Sequence, residues 1–249
     1  MSYYEIQGGR PLGGALAVHG AKNSVLPILA ACLLVPGQCV LHNCPDLSDV
    51  SATLDILRLL GCRANREGDT VIIDASAVNR SDIPEHLMRE MRSSVIFLGA
   101  LLARLGAAEL SYPGGCELGP RPIDLHLAAL RALGAEILEE QGALACRCCR
   151  GGLRGRELCL SIPSVGATEN AMLAACGCPG VTTVVGGARE PEIIDLQSFL
   201  QAAGAQIEGA GTSTITVQGG LPLHPVEYRV MGDRIAAATY LCAAAAAGG

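Results

Sequence analysis

One loop of the sequence presents a thiol close to a cation. Residues 112–122 read YPGGCELGPRP, so Cys116 follows two glycines and Arg121 precedes a proline. Glycine permits backbone shapes closed to other residues, and the residue before a proline is held near an extended form. Because loops between rigid elements often carry function, the pattern favours a reactive Cys116. Alternatively, Cys116 is an inert, partly buried thiol and Arg121 is an ordinary surface arginine.

Lys22 is a second candidate because it is the only lysine among 18 lysine and arginine residues. A codon bias toward arginine accounts for most of this imbalance. The ammonium group of lysine is nevertheless a compact, mobile point charge, whereas arginine presents a planar fork. A site that needs the point charge would retain its lysine, so we treat Lys22 as a candidate ligand-binding residue.

Cations recur at the starts of predicted helices. Lys22 and Asn23 begin one helix, Arg92 begins a second, Gly166 lies at the start of a third, and Arg234 lies at the start of a further segment. Helix N-termini present free N–H groups and partial positive charge, which suit phosphates and carboxylates. The alternative is that a cation at a helix start is merely exposed and slightly destabilises the helix. Its recurrence predicts an anion-binding site.

These helix starts belong to a repeat that runs through the chain. Each unit is predicted to contain a helix, a strand, a second helix and two strands, with a short strand opening it. The second helices end at Gly61, Gly134 and Gly204, where glycine takes the left-handed conformation that closes a last turn. Three such units predict an α/β fold with pseudo-threefold packing. The pattern leaves open whether helices or sheets face the axis.

Composition narrows the class of protein. The net charge of −6 and the absence of a basic stripe argue against a nucleic-acid-binding protein. The N-terminus lacks the pattern of a signal peptide, so we expect a cytoplasmic protein. Its twelve cysteines should then be reduced, and we expect the eleven other than Cys116 to serve mostly as small core residues. No paired C-x-x-C spacing predicts zinc, and the apolar C-terminal run is too short to span a membrane.

Five segments together resemble one known family. They are GAKNSVLPILAACLL, MRSSVIFLGALLARLG, PGGCELGPRPIDLHL, SVGATENAMLAA and AREPEIIDL, and they cover essentially the whole chain in order. They resemble the UDP-N-acetylglucosamine 1-carboxyvinyltransferases, which are enolpyruvyl transferases. The cysteine loop with its following R-P-x-D-L-H is the most specific of the five, and the A-K-N segment is also strong.

The resemblance implies a fold and an activity. The fold is an inside-out α/β barrel of three repeated units, paired in the family with a second similar domain. The reaction moves the enolpyruvyl group of phosphoenolpyruvate to the 3-hydroxyl of UDP-N-acetylglucosamine and releases phosphate, as the first committed step of bacterial peptidoglycan precursor synthesis. Neither a metal nor another cofactor is implied. We expect a monomer that binds no nucleic acid and no membrane.

The resemblance also assigns residues. Cys116 is the general acid that protonates the methylene carbon of phosphoenolpyruvate, and it is the thiol alkylated by the epoxide fosfomycin. Lys22 and Asn23 contact phosphoenolpyruvate, with Lys22 counted as catalytic, and Arg92 lies beside the nucleotide sugar. The remaining substrate-binding residues hold the uridine and diphosphate: Arg121, Pro122, Ile123, Asp124, Leu125, Ser164, Val165 and Gly166.

The family pattern divides the chain into parts. Residues 21–229 are expected to form a complete three-unit domain, whereas residues 1–20 and 230–249 belong to a second domain that is mostly missing. These two end segments should pack on each other, and we expect them to be frayed. The chain alone is therefore expected to be inactive or weak. Alternatives are a non-catalytic nucleotide-sugar-binding fragment, a purely structural repeat, and a 3-phosphoshikimate 1-carboxyvinyltransferase, which lacks this cysteine loop.

Overall fold

The structure is a computed structural model that describes residues 3–5, 7–111, 122–140 and 142–249. Three units with a similar order of helices and strands follow one another along the chain. In the first unit, helix α1 ends in a short 3₁₀ turn and is followed by a strand, a second helix and a two-stranded hairpin. Its elements are α1 (Lys22–Ala31), β1 (Gln38–His42), α2 (Ser48–Leu59), β2 (Arg63–Glu67) and β3 (Thr70–Asp74).

The second and third units repeat this order, each opened by a short strand. A 3₁₀ turn, Arg92–Ile96, leads into the first long helix of the second unit. The second unit comprises β4 (Asp82–Ile83), α3 (Glu85–Glu90), α4 (Phe97–Leu105), β5 (Ala107–Ser111), α5 (Asp124–Leu133), β6 (Ala135–Glu140) and β7 (Ala143–Cys148). The third comprises β8 (Glu157–Cys159), α6 (Val165–Cys176), β9 (Gly180–Val185), α7 (Pro191–Ala202), β10 (Gln206–Glu208) and β11 (Thr214–Gly219).

The described strands form three separate four-stranded sheets. Their orders are β4-β5-β7-β6, β8-β9-β11-β10 and β12-β1-β3-β2, where β12 is Val226–Arg229. In each sheet the opening strand runs parallel to its neighbour and the other pairs are antiparallel. β12 therefore occupies the position in the first unit's sheet that β4 and β8 occupy in the other two sheets. The predicted short opening strand is confirmed for the second and third units, whereas the first unit has none before α1 and receives β12 from after the third unit instead.

Three helices form the centre of the molecule. α1 is buried from Ser24 to Ala31, and α6 is buried on every side from Ala167 to Cys176. Small residues allow close approach: a Cβ atom on Gly99 of α4 would lie 2.4 Å from the backbone oxygen of Asn170 on α6. The first helix of each unit therefore lies inside and the sheets lie outside, which decides the question that the repeat left open.

Local sequence signals explain where these elements end. Gly61, Gly134 and Gly204 have φ angles of +100°, +107° and +104°, so each takes the predicted left-handed conformation after its helix. Val71 and Ile73 of β3 are fully buried, as their alternation implies. The repeat is therefore specified by features that can be found within each unit.

The two ends of the chain lie against each other. Gly20 forms an isolated antiparallel bridge with Gly232, and the backbone N–H of Asp233 donates to the His19 carbonyl at 2.9 Å. A final helix, α8 (Arg234–Ala247), follows and contains no buried residue. Gly249 approaches Leu12. The end segments thus contact each other as expected, and their fraying stays a prediction for hydrogen exchange.

Candidate active site

A cavity of about 250 Å³ lies where the starts of the central helices meet. Asn23 of α1, Ser93 of the 3₁₀ turn before α4, Gly166 of α6 and Arg234 of α8 all line it. These are the equivalent positions that the repeat predicts to fall in register. Helix N-termini from three units therefore converge on one space, and each adds free N–H groups and partial positive charge to it.

Lys22 lies next to this cavity, at the first position of α1. Its Nζ is 3.1 Å from Oδ2 of Asp49, and its backbone N–H donates to Oδ2 of Asp233 at 3.3 Å. The ammonium group is partly exposed and does not belong to the cavity lining. Exposed ion pairs of this kind contribute roughly 0–1 kcal/mol, so an incoming anion can compete with Asp49 for Lys22.

The start of α6 brings the predicted residues Ser164, Val165 and Gly166 together. Ser164 caps the helix by accepting the Ala167 N–H at 3.4 Å, and Val165 and Gly166 line the cavity. A Cβ atom at Gly166 would lie 2.7 Å from Cε1 of His126, so a larger residue there would displace the imidazole. The glycine is needed for this close approach rather than for an unusual backbone angle.

The cysteine loop falls outside the part of the chain that the structure describes. Cys116 and Arg121 belong to it, and for Arg92 only the backbone is described. Pro122, Asp124 and Leu125 are described, and none of them lines the cavity. Neither does Ile123, which is buried just before α5 begins.

His126, the last residue of the R-P-x-D-L-H motif, lines the cavity. It was not among the site residues predicted from the sequence. Asn170 of α6 fixes the orientation of its ring. Oδ1 of Asn170 accepts the Gly99 N–H at 2.7 Å, so the amide nitrogen must donate to the Val95 carbonyl at 3.0 Å and to Nδ1 of His126 at 2.8 Å. A neutral His126 therefore carries its proton on Nε2.

Three carboxyl groups also line the cavity: Glu169, Glu190 and Glu192. Glu192 forms a bidentate ion pair with Arg234, with Nε–Oε1 and Nη2–Oε2 distances of 2.9 and 3.2 Å. Burial raises the pKa of Glu169 well above its usual value, and the neighbouring Glu192 and Glu190 raise it further. The sequence offered only a weak signal here, because a glutamate in a helix usually faces solvent.

The described thiols are mostly buried. Seven of the eleven lie in the core, whereas Cys159 and Cys242 are exposed. Burial raises the pKa of Cys44, Cys62 and Cys176 to about 12, so these groups stay protonated and unreactive at neutral pH. The expectation of small core residues holds for this majority. The two exposed thiols must be controlled in any labelling experiment.

Neither a metal site nor a membrane-spanning helix is found among the described residues. No three His, Cys, Asp or Glu side chains there are grouped so that they could hold a metal ion. None of the helices in this part of the chain combines the length and the apolar character that crossing a bilayer requires.

Comparison with known proteins identifies the family. A sequence model of EPSP synthase (3-phosphoshikimate 1-carboxyvinyltransferase) matches residues 6–249. This chain belongs to the EPSP synthase family. The enolpyruvyl transferase NikO from Streptomyces tendae superposes with a TM-score of 0.83 at 27% identity, over 96% of this chain and 56% of NikO. The predicted enolpyruvyl transferase fold is therefore confirmed.

Relatives within the EPSP synthase family carry a more specific name. UDP-N-acetylglucosamine 1-carboxyvinyltransferase 2 from Caldanaerobacter subterraneus subsp. tengcongensis is 52% identical over 245 residues, covering 98% of this chain and 58% of the relative. UDP-N-acetylglucosamine 1-carboxyvinyltransferase 1 from Symbiobacterium thermophilum is 49% identical over 251 residues, covering 99% and 57%. The chain thus spans a little over half the length of these relatives, and the resemblance drawn from its motifs is confirmed.

Proposed function

We propose that this chain supplies the substrate-binding face and the general acid of an enolpyruvyl transfer site. The substrates are phosphoenolpyruvate and UDP-N-acetylglucosamine. The observation that carries the proposal is the cavity at which helix N-termini from all three units converge, lined by Asn23 and Gly166. Both substrates carry phosphate groups, and helix N-termini favour phosphate through free N–H groups and the helix dipole.

Each part of the site has a proposed ligand. Lys22 and Asn23 bind phosphoenolpyruvate, where the compact ammonium group of Lys22 exchanges Asp49 for a phosphate oxygen. Arg92 lies beside the nucleotide sugar. The uridine and diphosphate are held by two segments, which comprise Arg121, Pro122, Ile123, Asp124 and Leu125 and, at the start of α6, Ser164, Val165 and Gly166.

Cys116 is proposed to begin the chemistry by giving its Sγ proton to the methylene carbon of phosphoenolpyruvate. The adjacent carbon becomes cationic and is captured by the 3-hydroxyl oxygen of the sugar, which loses its own proton. Departure of phosphate, with loss of a proton from the new methyl group, restores the double bond and completes the transfer. A thiol with an ordinary pKa of about 8.5 is largely protonated at neutral pH and can act as this acid.

The division of the chain into domains is part of this proposal. Residues 21–229 would form one domain, which the pairing of β12 with β1 supports because it completes the first sheet at residue 229. Residues 1–20 and 230–249 would belong to a second domain, and their contact through Gly20 and Gly232 is compatible with that.

Intact mass measurement after fosfomycin treatment tests the proposal. A Cys159→Ser/Cys242→Ser background removes the exposed thiols, and Cys116→Ser in that background is the matched control. We expect one adduct, mapped to Cys116, that forms faster when UDP-N-acetylglucosamine is present. Labelling that is unaffected by the nucleotide sugar, or that survives Cys116→Ser, would refute an assembled site.

A non-catalytic nucleotide-sugar-binding role is the second candidate. A phosphate-release assay with both substrates separates the two functions. Release that requires UDP-N-acetylglucosamine and Cys116 supports transfer. Saturable binding of UDP-N-acetylglucosamine without phosphate release supports binding alone.

A further inference from the structure

Glu169 is a buried carboxyl group that lines the cavity without a partner among the described residues. It lies on α6, one turn after Val165 and Gly166, and only 7% of its surface is exposed. Among the residues that the structure describes, none forms a hydrogen bond or an ion pair with it. Buried carboxyl groups are normally paired or hydrogen-bonded, so an unpartnered one facing a cavity points to a group that arrives with a ligand.

The described charges around Glu169 do not neutralise it. The segment before α7 and α7 itself bring Glu190 and Glu192, and α5 brings His126. The one described cation of the lining, Arg234, is held in the bidentate ion pair with Glu192. Asn170 follows Glu169 on α6, and its hydrogen bonds to α4 and α5 hold this part of α6 in place. Glu169 therefore cannot leave the cavity without moving the helix.

The carboxyl group has two opposing influences on its charge. The N-terminus of α6 favours the ionised form, but by less than about tenfold in the ionisation equilibrium. Burial strongly disfavours the ionised form, and the nearby carboxylates of Glu192 and Glu190 add to this effect. Burial prevails, which agrees with the raised pKa of Glu169. The buried carboxyl group is therefore expected to keep its proton to higher pH than an exposed glutamate does.

We propose that Glu169 is a ligand-binding residue of this cavity, and that its protonated carboxyl group donates a hydrogen bond to an anionic oxygen of the bound substrate. The inference rests on the proposed function, because it takes a phosphate or carboxylate oxygen as the acceptor. The proton makes the acidic cavity compatible with an anion that three ionised glutamates would repel. Ionisation of Glu169 would remove the donor and add a repulsive charge, so it disfavours binding twice.

Titration calorimetry with UDP-N-acetylglucosamine between pH 6 and pH 9 tests this role. Wild-type affinity should fall as the pH rises, approaching a tenfold loss per pH unit above the folded pKa of Glu169. Glu169→Gln keeps an N–H donor without an ionisable group, so its affinity should stay nearly constant. Glu169→Ala should bind more weakly at every pH, and Glu208→Gln, at an exposed glutamate of β10, should follow the wild-type profile.

A ¹³C NMR titration of labelled glutamate carboxyl groups, assigned by difference with Glu169→Gln, reports the proton directly. A Glu169 signal that titrates at clearly higher pH than the exposed glutamates is expected, and one that titrates together with them overturns the proposal. Parallel pH profiles for wild type and Glu169→Gln overturn this role alone and leave the proposed function intact. Absence of binding by wild type and Glu208→Gln at every pH overturns the proposed function, and the donor role with it.

Discussion

Asn170 joins three elements around the cavity, and its removal gives a sharp test of how the site is held. It accepts the Gly99 N–H of α4 and donates to the Val95 carbonyl and to Nδ1 of His126, with distances of 2.7, 3.0 and 2.8 Å. The side chain is fully buried. Asn170→Ala deletes all three bonds at once and leaves α4, α5 and α6 without their shared polar contact.

The expected cost follows from these contacts. Each buried hydrogen bond contributes about 0.5–1.5 kcal/mol net, and a buried partner left unpaired costs about 1–3 kcal/mol. Three bonds therefore predict a loss of about 2–5 kcal/mol in the free energy of unfolding. This is a large share of the roughly 5–15 kcal/mol that stabilises a typical protein.

Urea unfolding followed by circular dichroism measures this loss. The midpoint should fall with an unchanged denaturant slope, because the native surface stays the same. Asn65→Ala, at an exposed asparagine of β2, is the matched control and should change stability by less than about 0.5 kcal/mol. A loss below about 1 kcal/mol for Asn170→Ala would show that water or a rearranged His126 replaces the amide, and would refute the positioning argument.

Three other changes have defined outcomes. Tyr228→Phe removes a hydroxyl that donates to Oδ1 of Asp195 at 2.5 Å, and it should lower the free energy of unfolding by about 1–3 kcal/mol in urea; no change would contradict that bond's importance. Asp49→Asn frees Lys22 and should raise phosphoenolpyruvate affinity by up to about fivefold at low salt, whereas equal affinities in calorimetry would count against competition. Folding raises the pKa of Glu169, so wild type should lose stability as the pH rises from the ordinary value of 4.5 through the folded pKa. Glu169→Gln should match wild type near pH 4 and exceed it at pH 8; a pH-independent difference would refute the assignment.

Local signals were sufficient to predict most of the fold. Gly61, Gly134 and Gly204 mark helix ends because the conformation they adopt is unfavourable for other residues, and strand alternation shows which face is buried. The pairing of β12 with β1 could not be predicted in this way. Nothing local to either strand records that the third unit returns to the first.

The site was predicted less completely, for a related reason. Helix starts are visible in sequence, so the repeat shows that Asn23 and Gly166 occupy equivalent positions. That both line one cavity depends on the inward packing of the central helices, which the repeat left open. Glu169 could not be placed there, because a glutamate among alanines is normally read as the solvent face of a helix. Only packing shows that α6 has no solvent face between Ala167 and Cys176. A buried acid is therefore invisible until the neighbours of its helix are known.

The pairing of β12 with β1 also determines when this domain can complete its folding. Its cross-strand contact between the His42 ring and the Glu227 carboxylate joins groups 185 residues apart in sequence, whereas β4 meets β5 across a few tens. At about 0.6 kcal/mol for each doubling of a loop, closing the longer one costs roughly 1–2 kcal/mol more. On the ribosome, β1 therefore keeps an open edge until residue 229 emerges. A ring closed in this way has no terminal repeat from which to unravel, unlike an open solenoid.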